Sequence, residues 1–380
     1  MTSPPTRYRA SILQVNTMAR PEDKNKPVGD DQEGRSSVAD VQITSVGPAL
    51  LRLPIEMFEI IIACFADIPT ELILQNPTTV NASYAERMRA LHALSQTSRA
   101  LREYCLPRAW ERLEACIEYG PEHGVWYKQV SNRLRNISNG LAESPELAQH
   151  VQIATVSLTR CSVDVILPAF TRCLERLPNL HTLQIVHAHS QMSTALKDTF
   201  ESKRFPQIRT IILPSCAQSV LRACPEVRHV TCNEDNGGEL VTAILASCKK
   251  VEILRGITPE SAIVKHLSKA APHLRELGII SCAVHSWPKV REISPYDIRE
   301  LGKLTNLSNI TIMVGEGESI CRAKTCKAHI QAAFEALEQS TAENKSVTVR
   351  YSAWISRRGA EDINGHWQTV REEEIAVGMK

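Results

Sequence analysis

The chain has 380 residues, with 44 Lys and Arg against 42 Asp and Glu and a formal charge of +2. So even a balance speaks against a nucleic-acid or membrane-surface protein, which would carry a basic patch or stripe, and no apolar run is long enough to span a bilayer. The 12 cysteines lie in a long chain without a secretory signal, several of them in apolar segments, which predicts reduced, buried thiols in an intracellular protein, cytoplasmic or nuclear, rather than a disulfide framework.

Residues 1–47 are rich in Pro, Ser, Thr and charge and lack sustained periodicity, so they are expected to be a disordered tail. Arg7, Arg9 and Arg20 precede the first acid, Glu22, as in a mitochondrial presequence, but Pro4, Pro5 and the charges after Glu22 suit a solvated tail better. Leu53-Pro54-Ile55-Glu56 then opens a helix with proline at its first position, where the missing N–H costs nothing. That helix carries two apolar stripes. Ile55, Phe58, Ile62 and Phe65 form one, Met57, Ile61 and Cys64 the other, and Ile60 lies between them. A short helix in a small domain needs a single buried stripe, so this one is either central in a core or shared with a partner. Residues 66–86, with Pro69, Pro77, Thr78, Thr79 and Asn81, read as a surface insertion. Two further helices follow. Leu91 and Leu94 face inward on the first, Ser95, Thr97 and Ser98 are cap candidates at the break, Leu101 and Cys105 lie four apart on the second, and Trp110 closes the unit. Residues 117–150, with Trp126, Tyr127, Val130, Leu134, Ile137, Leu141 and Leu147, predict one or two linking helices.

From Val151 a repeat begins, apolar at i, i+3 and i+5. It fits Ile153-Val156-Leu158, Leu180-Leu183-Ile185, Ile208-Ile211-Leu213, Val227-Val230-Cys232, Val251-Leu254-Gly256, Leu274-Leu277-Ile279 and Leu307-Ile310-Ile312. Pro178, Pro206, Pro225 and Pro272 recur two residues ahead of the first apolar position, and Cys161, Cys216 and Cys282 recur at i+8. Helical patterns lie between, as in Leu240, Ile244 and Leu245. Each strand would bury its i+3 and i+5 side chains beneath a helix and need neighbours to complete its core. The i+2, i+4 and i+6 positions would then pave the opposite face, among them Thr182, Gln184, Ile212, His229, Thr231, Arg255, Ile257, Glu276 and Ile280. That face reads equally as a recognition surface or as an ordinary exposed sheet of β-formers. After Met313 the regularity fades into a helix around Ile330, Ala333, Phe334 and Leu337 and a final strand at Val347, Val349 and Tyr351. Residues 356–380 read as a polar tail.

No catalytic constellation stands out. Cys321, Cys326 and His329 are at most half of a zinc site, and the matching half is missing. Cys216, Cys224 and Cys232 read as core positions, His181, His187 and His189 as surface histidines, and Glu372-Glu373-Glu374 as a solvated acidic run. Gly237-Gly238 opens a helix without the rest of a phosphate loop. No nucleophile elbow appears, so an α/β hydrolase or transferase lacks a site. No metal and no cofactor is expected.

Residues 49–115, with Leu53-Pro54-Ile55-Glu56, the run from Leu91 to Leu101 and the closing Trp110, resemble the F-box. The repeat resembles the cysteine-containing leucine-rich repeat, in degenerate form, with Gly256 and Asp235 breaking the template. Together they imply an α/β chain: tail 1–47, F-box-like helical domain 48–116 with its insertion, helical linker 117–150, leucine-rich-repeat-like solenoid 151–355 and tail 356–380. The implied function is that of a fungal-type F-box substrate receptor in a cullin-based ubiquitin ligase. Leu53, Pro54, Ile55, Met57, Phe58, Ile61, Leu91, Leu94 and Trp110 would bind the Skp adaptor, and through it the cullin scaffold. The repeat face would bind a client protein of unknown identity. The receptor itself is non-catalytic. The alternative is a binding scaffold whose F-box-like unit does not engage the ubiquitin machinery.

Overall fold

The computed structural model describes residues 53–65, 67–68, 73–74, 80–118, 125–234, 237–280, 293–315, 320–355 and 366–377. The expected tail at 1–47, about half of the insertion and Cys282 lie outside the described residues. The chain divides into two compact units, Met1–Phe58 and Glu59–Lys380. The division falls inside the first helix, α1 (Ile55–Ala63).

In chain order there follow the two-residue strands β1 (Ile73–Leu74) and β2 (Val80–Asn81), then α2 (Glu86–Ser95), α3 (Arg99–Trp110), β3 (Arg112–Ala115), β4 (Ile117–Glu118), α4 (Trp126–Glu143) and α5 (Pro145–Ala148). Strands and helices then alternate: β5 (Ile153–Leu158), α6 (Val163–Glu175), β6 (Thr182–Ala188), α7 (Ser193–Phe200), β7 (Thr210–Leu213), α8 (Gln218–Arg222), β8 (His229–Cys232), α9 (Gly238–Ser247), β9 (Ile253–Ile257), α10 (Ser261–Ala270) and β10 (Glu276–Ile280). The chain closes with α11 (Pro295–Arg299), β11 (Asn309–Gly315), α12 (Ile320–Gln339), β12 (Ser346–Ile355) and β13 (His366–Ala376). The break between α2 and α3 is capped as its residues suggest: Ser98 Oγ accepts the Leu101 N–H at 3.2 Å.

The fold is mixed α/β around one eleven-stranded sheet, in the order β1-β13-β12-β11-β10-β9-β8-β7-β6-β5-β3. Strands β3 and β5 to β12 are all parallel, and each is placed beside its predecessor in sequence, so the order never reverses. A doubly wound sheet, with helices on both faces, would bury both alternate sets of side chains. Here the main core takes one set, Leu183, Ile211, Val230, Leu254, Leu277, Ile310 and Val347, together with helix residues such as Phe170, Leu196, Val220, Ile244, Leu267 and Leu337. The helices therefore share one side of the sheet. The i+3 positions of the sequence template stand opposite one another from strand to strand, as do the i+2 and i+4 positions.

Three features depart from expectation. First, the array begins earlier, with β3 parallel to β5 immediately after α3. Second, residues 356–380, expected as a polar tail, carry β13, which pairs antiparallel with β12. Polarity does not prevent a strand here, because β1 covers only His366 and Trp367 of β13, and charged side chains are the usual guard where a strand lacks an outer neighbour. Arg371 stacks over Tyr351 at 3.9 Å and Arg350 bonds Glu372 at 2.8 Å. Third, Gly256, which breaks the repeat template, is a β-bulge. Arg255 opposes Gly278 but Ile257 opposes Ile279, leaving Gly256 as the extra residue. Its φ is +73°, and a Cβ there would lie 2.0 Å from the Cys232 carbonyl oxygen, so only glycine is accommodated. The bulge shifts the alternation by one, and Ile257, expected on the client-binding face, is instead 1% exposed in the main core.

Candidate functional site

Two surfaces carry the residues singled out by sequence. The first is the sheet face opposite the helices. In register it presents one row of Thr182, Thr210, His229, Ile253, Glu276 and Asn309, and a second of Gln184, Ile212, Thr231, Arg255, Gly278 and Thr311. Over β5 to β7 this face is closed. Thr182, Gln184 and Ile212 are buried, which removes them as contact residues. Thr155 donates to Gln184 Oε1 at 3.3 Å. Beside them Val186 packs with Ile68, Ala85, Cys116 and Ile117 in a second small core, against which Tyr84 rests. Ile68 is held by the Arg112 guanidinium, which donates to its carbonyl at 2.6 Å. Val186 is itself the extra residue of a bulge, since Val156 opposes Ile185 and Ser157 opposes His187. The covering residues come from chain segments remote in sequence from β6, so strand periodicity alone could not reveal them.

Asn233 shows how β6 tolerates losing its neighbour. Pairing with β7 ends at Gln184 and Ile212, and Pro214 has no N–H to offer. The Asn233 amide donates instead to the carbonyls of Ile185 and Val186, at 2.9 and 3.2 Å.

From β8 to β12 the same face is partly open. His229, Thr231, Arg255, Glu276 and Met313 are half-buried. Ile280 opposes Met313 in register. The Arg255 guanidinium donates to Glu276 Oε1 at 2.8 Å, and Thr311 donates to the same oxygen at 3.4 Å. Gly278 makes room for this arrangement, because a Cβ there would lie 2.8 Å from Arg255 Cγ. Asn309 donates to Ser346 and Thr348 at 2.8 and 2.9 Å. Burial pushes the His229 imidazole below its usual range, against the opposing pull of Glu252.

The second surface is helical. Within Glu59–Lys380, the Glu59 carboxylate accepts from the Tyr104 hydroxyl at 2.9 Å and from the Arg108 guanidinium, which lies 3.8 Å over the Tyr104 ring. The hydrogen bonds from Arg108, then Tyr104, hold the Glu59 carboxyl below the usual range. Of the two apolar stripes of α1, Phe58 and Ile62 are buried, whereas Met57, Ile60 and Ile61 are 43, 59 and 39% exposed. Cys64, Pro54 and Ile55 are exposed and Leu53 is partly so. The proposed adaptor set therefore separates. Phe58 and Leu91 are buried, Trp110 packs on the main core, and Leu94 is half-buried. A leucine or tryptophan at helical spacing serves a core as readily as a partner, and only packing distinguishes the two.

The remaining candidates are placed as follows. His187, expected at the surface, is largely buried beside the Trp126 ring, and burial pushes its imidazole down to about 4. The Val186 bulge puts Ala188 in the main core and leaves His187 on the other face of the sheet. Cys161 and Cys216, expected to be equivalent and buried, are both half-exposed and differently held: Cys216 donates to the Ala188 carbonyl at 3.2 Å, while Cys161 lies 3.8 Å from the Ser162 hydroxyl. Cys224 and Cys232 are buried, as expected of core positions. Cys321, Cys326 and His329 lie on α12, where the buried His329 ring nitrogen bonds the Ile293 carbonyl at 2.9 Å. Among the described residues no group of three His, Cys, Asp or Glu could hold a metal ion, and no helix is long and apolar enough to cross a membrane. No protein-family model matches the chain, and no curated protein matches it in sequence.

Proposed function

We propose that this chain is a non-catalytic substrate-recognition subunit of a cullin-based ubiquitin ligase. An F-box-like helical segment binds the Skp adaptor, and a leucine-rich-repeat-like array binds a client protein on its open face. The observation that carries the reading is the apolar stripe of α1 left exposed at Met57, Ile60 and Ile61. A helix in water does not keep three large aliphatic side chains on one side without a use for them, and contact energy concentrates in such anchors. In this reading the exposed stripe, together with Pro54 and Ile55, makes the contact. A receptor of this kind raises the local concentration of client lysines at the ubiquitin-loaded enzyme and needs no chemistry of its own. Ten of the described cysteines carry free thiols, which suits a reducing compartment, the cytoplasm or nucleus.

The test is co-expression with the Skp adaptor and affinity capture. A Met57→Asp, Ile61→Asp variant is expected to lose adaptor capture by about tenfold or more, since each removes an exposed anchor that the adaptor would cover, with its circular dichroism and thermal transition unchanged. Capture equal to wild type would favour the second reading, a scaffold that does not engage the ubiquitin machinery. That reading draws on the Ile68, Ala85 and Val186 core, which joins the insertion to the sheet as one packed unit.

A further inference from the structure

Resting on the reading of the open sheet face as the client site, we infer that this face takes an extended, uncharged segment of its partner and does not read a phosphate. The argument starts from charge. Recognition of a phosphorylated motif needs arginines free to fork onto the phosphate oxygens. Among the described residues the open face carries two arginines, and both are already committed. Arg255 lies across Gly278 to reach Glu276, and the side chains of both partners are about four-fifths shielded from water, at 20 and 18% exposure. Arg350 is held by Glu372 across the β12–β13 pair. Turning Arg255 outward to a ligand would leave Glu276 charged, shielded and without its cation, which is disfavoured more than the new contact is favoured.

On β8 to β12 what remains for contact, among the described residues, is uncharged: Thr231, Ile253, Met313 and a histidine held toward its neutral form, with the exposed Glu374 of β13 at the margin beside Thr348. Asn309 is spent on Ser346 and Thr348. A partner matching this surface brings aliphatic and hydroxyl or amide side chains, with no net charge at the contact. The nearest other cations lie where the strands begin. There Arg228 and Arg275 share Glu252, and Arg209 and Lys250 share Glu226. With two cations to each carboxylate, that rim is the place where a phosphate would bind if the inference is wrong.

Strands β8 to β12 span about 19 Å at ~4.8 Å per strand, which an extended chain crosses in about six residues. The experiment uses the full chain and an array of peptides about ten residues long, built in matched sets with serine, phosphoserine or aspartate at the centre. The serine members are expected to be captured about tenfold better than their phosphoserine partners, with little change between low and physiological salt, because no long-range charge attraction is involved. Ile253→Arg is expected to abolish capture, while the exchange Arg255→Glu with Glu276→Arg keeps it within about threefold, because that pair faces inward to itself. Preferential capture of phosphoserine members overturns the inference and points to the strand-start rim. Capture that ignores Ile253→Arg overturns it as well, and so does capture of no peptide at all. Adaptor binding is measured on the same preparations, so that loss of the ubiquitin-ligase reading is seen separately from loss of this one.

Discussion

Replacing Gly256 by alanine tests the bulge that moves Ile257 from the open face into the core. The perturbation adds a single methyl group, and its cost can be built from two parts. An L-residue at φ +73° costs roughly 1–2 kcal/mol relative to glycine. The new Cβ would also lie 2.0 Å from the Cys232 carbonyl oxygen, an atom of the neighbouring backbone that cannot swing aside as a side chain can. Relieving that contact means displacing the end of β8, next to the Thr231 and Arg255 pair, and overpacking of this kind costs about 1–3 kcal/mol. The expected total is about 2–5 kcal/mol, read as a fall in the urea midpoint. Gly278→Ala is the internal comparison. There the added methyl meets Arg255 Cγ at 2.8 Å, and a flexible side chain can move, so about 1–2 kcal/mol is expected. Ile257→Ala completes the set, at about 2–5 kcal/mol for a core isoleucine. If Gly256→Ala stays within about 0.5 kcal/mol of wild type, the range of an inconsequential surface change, there is no bulge. Ile257 then returns to the open face, while Ile253 and Arg255, which precede Gly256, keep their places.

Acid should weaken the fold through His187. Its imidazole sits at about 4 in the folded chain against an ordinary value near 6.5, so stability is complete above about pH 6.5 and falls as pH drops toward 4, by up to roughly 3 kcal/mol. Burial raises the Glu114 carboxyl and so acts in the opposite direction, which is why the test is the difference between wild type and His187→Gln across that window: parallel curves would show that the ring is solvated. A thiol reagent under native conditions should label Cys64 first, Cys161 and Cys216 more slowly, and Cys224 and Cys248 only after unfolding, since the last two are buried and burial pushes their thiols up. Fast native labelling of Cys224 or Cys248 would contradict the packing of α8 and α9.

Much of the strand–helix array was legible in the sequence, because a parallel strand covered on one side writes its buried set as a strict alternation. The i+3 template residues Leu183, Ile211, Val230, Leu254, Leu277 and Ile310 stand in one row of the core. The two stripes of α1 were equally plain, since helical periodicity depends only on residues three and four apart. The sequence could not say which stripe would be covered, or that Trp110 packs on the main core, because burial is decided by chain segments far away. The same holds for the closed half of the sheet face. Thr182 and Gln184 are ordinary β-formers until Ile68, Ala85, Cys116 and Ile117 arrive from another part of the chain and pack around Val186 beside them. Strands β3 and β13 were missed for a related reason. The first is too short for alternation to register, and the second is charged where it runs past its two-residue pairing with β1, because solvent reaches it there and apolar side chains are not required. Gly256 lies between these cases. The sequence marked it as a break in the pattern, but only the backbone, with its positive φ and its approach to Cys232, turned that break into a one-residue shift that moves Ile257 from the surface to the core.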